Sequence, residues 1–204
     1  MAVITIPREA VPYMLLQRLE VQELGAKIHY SILGKWVYKL YEKTPGAKHL
    51  YRIYSMKIEP MFRFKRIIEK YVGVMYREFQ QIAPYLPDNA NKIIGIGPGV
   101  GGLEAYMSRY YSTKGLSPEI TLIDKSRIDD IYYGFHEEAA AYNSLDIARS
   151  VLIDNGHLGN KIICIEADDL HRFDVYGADL IRPEHRLAQT RQFETLRVLV
   201  NNPG

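Results

Sequence analysis

Lys92-Ile-Ile-Gly-Ile-Gly-Pro-Gly-Val-Gly-Gly-Leu-Glu104 is the stretch that decides the fold of this 204-residue chain. An apolar run that ends in closely spaced glycines and flows into a helical pattern spells a strand, a tight turn and a helix N-terminus. Side chains at Gly97, Gly99 or Gly101 would keep the backbone from closing on a bound group, and so tight a turn calls for positive φ at some of these positions. About twenty residues on, Ile120-Thr-Leu-Ile-Asp-Lys125 reads as a second strand. Asp124 stands at its end, where a carboxylate can accept hydrogen bonds from both hydroxyls of a ribose.

Outward from this core the pattern alternates. Residues 92–97 read as a strand, 101–112 as a helix, 119–124 as a strand, 137–155 as a helix and 161–167 as a third strand. That order implies right-handed crossovers and a parallel sheet with helices on its faces. The predicted class is therefore α/β: a Rossmann-like parallel sheet with helices on both faces, preceded by an α-helical N-terminal region. Beyond Asp169 the pattern weakens. Phe173-Asp-Val175 or Ala178-Asp-Leu-Ile181 could open a fourth strand, but Arg182-Pro-Glu-His-Arg186 follows at once and interrupts it. Residues 187–200 are expected to form one helix, and the sheet is expected to be incomplete at its C-terminal side.

Upstream, residues 8–86 carry helical periodicity, and the clearest helix runs from Pro60 to Ala83. Its apolar residues Phe64, Ile68, Val72, Met75, Phe79 and Ile82 recur at three- and four-residue steps and predict one packed face. The polar, turn-rich segment 85–91 marks a boundary, which divides the chain into a helical N-terminal cap or dimerisation region (1–86) and a Rossmann-like domain (87–204). Charge follows the same division: residues 1–90 hold 14 Lys and Arg against 8 Asp and Glu, although the whole chain carries only +2. Arg63, Lys65, Arg66 and Lys70 cluster near Phe62, Phe64 and Tyr71. Basic residues among aromatics can mark a nucleic-acid surface, but an amphipathic helix with snorkelling cations is the favoured reading.

A hydrophobic fraction of 47% with 25% charged residues is that of an ordinary globular protein. No apolar run is long enough to span a bilayer, and the first residues lack the pattern of a secretory signal, so a cytoplasmic protein with no membrane partner is expected. The single cysteine, Cys164, lies in the apolar run 161–166 and is expected to be a buried strand residue. The six histidines show no metal-ligand spacing, so no metal is expected.

Two cofactor classes fit the glycine turn. Gly97-x-Gly99-x-x-Gly102 is the dinucleotide fingerprint, while Gly97-x-Gly99-x-Gly101 matches the loop of S-adenosylmethionine-dependent methyltransferases. The segment 79–169 resembles class I members of the latter family, and among them the provisionally assigned sugar O-methyltransferases of bacteria. The resemblance rests on Tyr85-Leu-Pro87, Ile96-Gly-Pro-Gly-Val-Gly-Gly102, Leu122-Ile-Asp124, Tyr133-Gly-Phe135, Tyr142-Asn-Ser-Leu145 and Asn155-Gly156.

The resemblance implies S-adenosylmethionine as cofactor, with Gly97, Gly99 and Gly101 around its methionine part, Asp124 on its ribose and Asp168 on its adenine amino group. It implies a small-molecule methyl acceptor, and His136, beside Glu137 in the loop after the second strand, is the candidate catalytic base. Glu137 and Glu138 also suit the acidic first turn of a helix. Two departures stand out. The family usually places an acid two residues before its first glycine, where this chain has Gly95, so a contact to the cofactor's amino group would be lost. The family's fourth strand has no convincing match after Ile181. A nicotinamide-dependent oxidoreductase, using the same glycines and Asp124, and a non-catalytic assembly module remain the alternatives. A homodimer through the N-terminal helical region is a further expectation.

Overall fold

The computed structural model describes residues 3–17, 43–44, 59–124, 144–167, 175–176, 180–183 and 198–199. Three strands come from the apolar runs: β1 (Lys92–Ile96), β2 (Glu119–Asp124) and β3 (Ile162–Glu166). Two residues form β4 (Val175–Tyr176), four form β5 (Leu180–Pro183) and two form β6 (Val198–Leu199). The helices are α1 (Val11–Gln17), α2 (Glu59–Ile82), α3 (Gly102–Thr113) and α4 (Leu145–Asp154).

Among the described residues the main sheet is four-stranded in the order β3-β2-β1-β5, and each of its pairings is parallel. Its interior strands are largely apolar because both faces are covered: Ile93, Ile94, Ile120, Leu122 and Ile123 are all buried, with Thr121 among them. β2 and β3 lie to one side of β1 and β5 to the other, so strand order reverses at β1. In open α/β sheets the crevice at the carboxyl end of such a reversal is where ligands bind. The glycine turn follows β1 at that end.

β5 corrects the expectation that Arg182-Pro183 interrupts a fourth strand. Leu180 pairs with Ile93 and the register runs on to Pro183 opposite Ile96. A proline is tolerated as the last residue of a strand flanking the sheet, where its missing N–H need serve no further ladder. Val198 and Leu199 pair with Val175 and Tyr176 in a separate two-stranded sheet, which overturns a helix continuing through residue 200.

The expected helix 137–155 is not continuous across Ser144, and residues 137–143 lie outside the described residues. Ser144 is extended (φ −141°, ψ 115°) and its Oγ accepts from the Ile147 N–H at 3.4 Å, so it caps α4 rather than lying within a continuous helix. At the other end the Gly156 N–H bonds the Ile153 carbonyl and the His157 N–H bonds the Leu152 carbonyl, with Gly156 left-handed at φ 89°. That is a Schellman stop, as Asn155-Gly156 suggests in sequence. Gly115 ends α3 in the same way.

α2 buries Ile67, Tyr71, Val72, Met75 and Phe79, so the packed stripe is centred slightly off the predicted one. The helix is amphipathic: Tyr71 of the basic-aromatic cluster is core, Lys65, Arg66 and Lys70 are exposed, and Phe62 is 77% exposed. Arg8 lies over the Phe64 ring at 4.7 Å. Among the described residues no helix is long and apolar enough to cross a membrane.

The first residues are sewn onto the sheet domain. Thr5 N–H donates to Asn155 Oδ1 (2.8 Å), and Asn155 Nδ2 donates to the carbonyls of Thr5 and Val151 (2.7 Å each). Arg109 donates to the Val3 carbonyl at 2.7 Å. Ile4, Ile6, Ala10, Val11, Met14 and Leu15 then join one core with α2, α3 and α4. Asn155→Ala removes three side-chain hydrogen bonds, two of them part-buried ties to Thr5, and is expected to cost about 1–2 kcal/mol. Thermal unfolding measures that loss, and hydrogen exchange at Thr5 should accelerate with it.

Beneath the sheet Ser108 Oγ and His157 Nδ1 lie 2.8 Å apart, both residues buried. Burial pushes the His157 pKa below its ordinary 6.5, against the opposing pull of the Lys161 backbone. Above 6.5 the imidazole is neutral in both folded and unfolded chains. As pH falls below that value the unfolded chain takes up a proton that the folded one resists, so stability drops until the folded pKa is reached. Urea melts between pH 7.5 and 5 are expected to show this acid loss, and His157→Gln to flatten it.

Candidate functional site

Three glycines build the turn. Gly97, Gly99 and Gly101 have φ of 64°, 61° and 76°, a left-handed region costly for any residue with a Cβ. The Gly97 N–H donates to the Ile123 carbonyl at 2.8 Å and the Gly101 N–H to the Pro98 carbonyl at 3.0 Å. The first bond ties the turn to the end of β2, one residue before Asp124. Asp124 is half-buried, and its carbonyl accepts from the Ala167 N–H at 2.8 Å, joining the ends of β2 and β3. Sequence-predicted Gly97, Gly99, Gly101 and Asp124 thus come together at the carboxyl edge of the sheet. Asp168, His136 and Glu137 lie outside the described residues.

Gly101 has a second task. It is the N-cap of α3, and a Cβ there would sit 3.1 Å from the Ala148 carbonyl oxygen and 3.3 Å from Ala148 Cα, against the backbone of α4. Its neighbour Gly102 lets α2 approach: a Cβ would lie 2.6 Å from Tyr71 Oη and 2.9 Å from Met75 Cγ. These two glycines set how close α3 comes to the helices on either side, while the left-handed turn fixes where its N-terminus points. The positive end of α3 faces the crevice and favours anionic or hydrogen-bond-accepting groups.

Glu104, in the first turn of α3, is the residue that sequence reasoning missed. It is 1% exposed, and it fills the space a side chain at Gly95 would need: a Cβ on Gly95 would lie 2.9 Å from Glu104 Oε1 and 3.4 Å from Cδ. A carboxylate therefore stands at the end of β1 although position 95 carries none. The signal was present in the spacing, since Glu104, Ser108 and Tyr111 fall on one helical face and all three are buried.

Cys164 departs from expectation. It lies in β3 but is exposed, as is Ile163 at 39%, because β3 flanks the described sheet and has a neighbour on one side only. Its Sγ is 3.9 Å from the Leu145 carbonyl, and the shielding on that side pushes the thiol pKa upward, away from thiolate chemistry.

No protein-family model and no curated protein matches this chain. Among solved structures it is similar to a provisionally assigned O-methyltransferase from Nostoc punctiforme PCC 73102, with a TM-score of 0.37 and 12% identity. The match covers 85% of this chain and 42% of that one, so the chain spans less than half the length of that structure.

The two positive-φ glycines Gly101 and Gly115 separate strain from crowding. A Cβ on Gly115 meets nothing within 4 Å, so Gly115→Ala should cost about 1 kcal/mol of backbone strain alone. Gly101→Ala adds a clash with α4 and is expected to cost about 1–3 kcal/mol more. Chemical denaturation of the two variants side by side measures the difference.

Proposed function

We propose that the chain is an S-adenosylmethionine-dependent methyltransferase domain acting on an oxygen or nitrogen of a small, sugar-like molecule. The observation that carries this reading is the left-handed turn of three glycines at the strand-order reversal, hydrogen-bonded to the end of β2 beside Asp124. The residues fit the cofactor: a bare backbone at Gly97 and Gly99 admits close contact, and a half-buried carboxylate at the end of the adjacent strand suits a pair of hydroxyls. When bound, S-adenosylmethionine supplies a methyl group on a sulfonium, ready for in-line displacement.

What the chain contributes is placement. The turn and Asp124 would hold the nucleoside in one orientation, and the sheet crevice would place the acceptor beside it. For a hydroxyl acceptor a base must take the proton, and His136 is assigned that role from its place in the sequence after β2. The basic helical segment ahead of β1 is assigned to covering the acceptor or to pairing two copies. A nicotinamide dinucleotide is the second reading, because Gly97, Gly99 and Gly102 also carry the spacing of the dinucleotide fingerprint at the same strand-order reversal.

Isothermal titration tests both readings. The chain is expected to bind S-adenosylmethionine and its demethylated product but not NAD, and Asp124→Ala is expected to weaken that binding about tenfold or more through the lost charged hydrogen bonds. Binding of NAD alone would transfer the assignment to an oxidoreductase, and no binding of any of the three would remove the enzymatic reading.

A further inference from the structure

Glu104 is too deeply placed to be an ordinary helix-end charge. A glutamate at this third helical position commonly reaches back to the N–H of the capping residue. Here that N–H, on Gly101, already bonds the Pro98 carbonyl at 3.0 Å. The Glu104 side chain instead runs down to β1, where Gly95 leaves a seat shaped for it: Oε1, Cγ and Cδ all lie within 3.4 Å of where a Cβ would be. An oxygen in that position lies within reach of where a carboxylate carried by residue 95 would put its own. The acid stands on the helix, and the glycine on the strand makes room for it.

The carboxylate also has a neighbourhood. It lies between the end of β1 and the start of α3, alongside the left-handed turn, with Asp124 at the end of the adjacent strand. A ligand lying over the turn would meet one carboxylate suited to hydroxyls and another, 1% exposed, in surroundings where a charge is stabilised chiefly by an opposite charge. We propose that Glu104 is the residue that receives the ammonium group of the bound ligand's amino-acid end, in the role left vacant by Gly95. The proposal rests on the reading of an adenosyl cofactor site and names the residue that recognises its cationic end.

The test compares two ligands on the full chain by isothermal titration. S-adenosylhomocysteine carries the amino-acid end; methylthioadenosine has the same nucleoside and thioether without it. Glu104→Gln is expected to weaken S-adenosylhomocysteine about tenfold or more while leaving methylthioadenosine unchanged, as expected for loss of a charge-assisted hydrogen bond. Asp124→Ala should weaken both. Returning the acid to the strand, in Gly95→Asp combined with Glu104→Ala to vacate the space the new side chain needs, should restore part of the preference. The wild-type chain gives a check that needs no variant: S-adenosylhomocysteine with its amino group replaced by hydrogen should bind about tenfold or more weakly than the parent. If Glu104→Gln weakens both ligands alike or neither, or if the deaminated ligand binds as well as the parent, Glu104 has no such role while the cofactor site stands. If the wild-type chain binds neither ligand, this proposal and the functional reading fall together.

Discussion

Everything at the carboxyl edge of the sheet depends on a backbone that only glycine adopts at low cost. Three residues within five, Gly97, Gly99 and Gly101, are held at positive φ, and each substitution there would add about 1–2 kcal/mol of strain before any contact is counted. The turn is short because those angles reverse the chain at once, and it is anchored because the Gly97 N–H is bonded to the Ile123 carbonyl. From it follow the direction of α3, the approach of its N-terminus to the crevice and the placing of Glu104 over Gly95.

The same glycines couple the site to the core. Gly101 touches the backbone of α4 and Gly102 admits Tyr71 and Met75 of α2, so α3 is gripped from both sides at the turn itself. α4 in turn holds the N-terminal residues through Asn155 and Thr5, 150 positions apart in sequence. A change in the packing of α2 or of the first residues is thereby transmitted to the start of α3.

Much of this was legible in the chain. β1, β2 and β3 could be bounded to within a residue because each is written as a short, largely apolar run between turn signals, and α2 because its apolar residues keep a helical period. What was not legible depended on neighbours distant in sequence. Pro183 reads as a break, yet it closes a strand that pairs with β1. Cys164 sits in an apolar run, yet that run flanks the sheet and is exposed. Ser144 reads as one more helical residue until its hydroxyl caps α4. Glu104 reads as an acid complementing a helix dipole, and Gly95 as a missing acid; only their juxtaposition shows that each accounts for the other.

On the proposed reading the left-handed turn is a ligand cradle as well as a packing device. Backbone amide NMR of the chain titrated with S-adenosylhomocysteine separates the two, because the probe reports position as well as affinity. The largest shifts are expected on Gly97, Gly99, Val100 and Asp124, with α1 and the far end of α3 unmoved. Spectra unchanged at saturating ligand, or shifts confined to the basic face of α2, would contradict it.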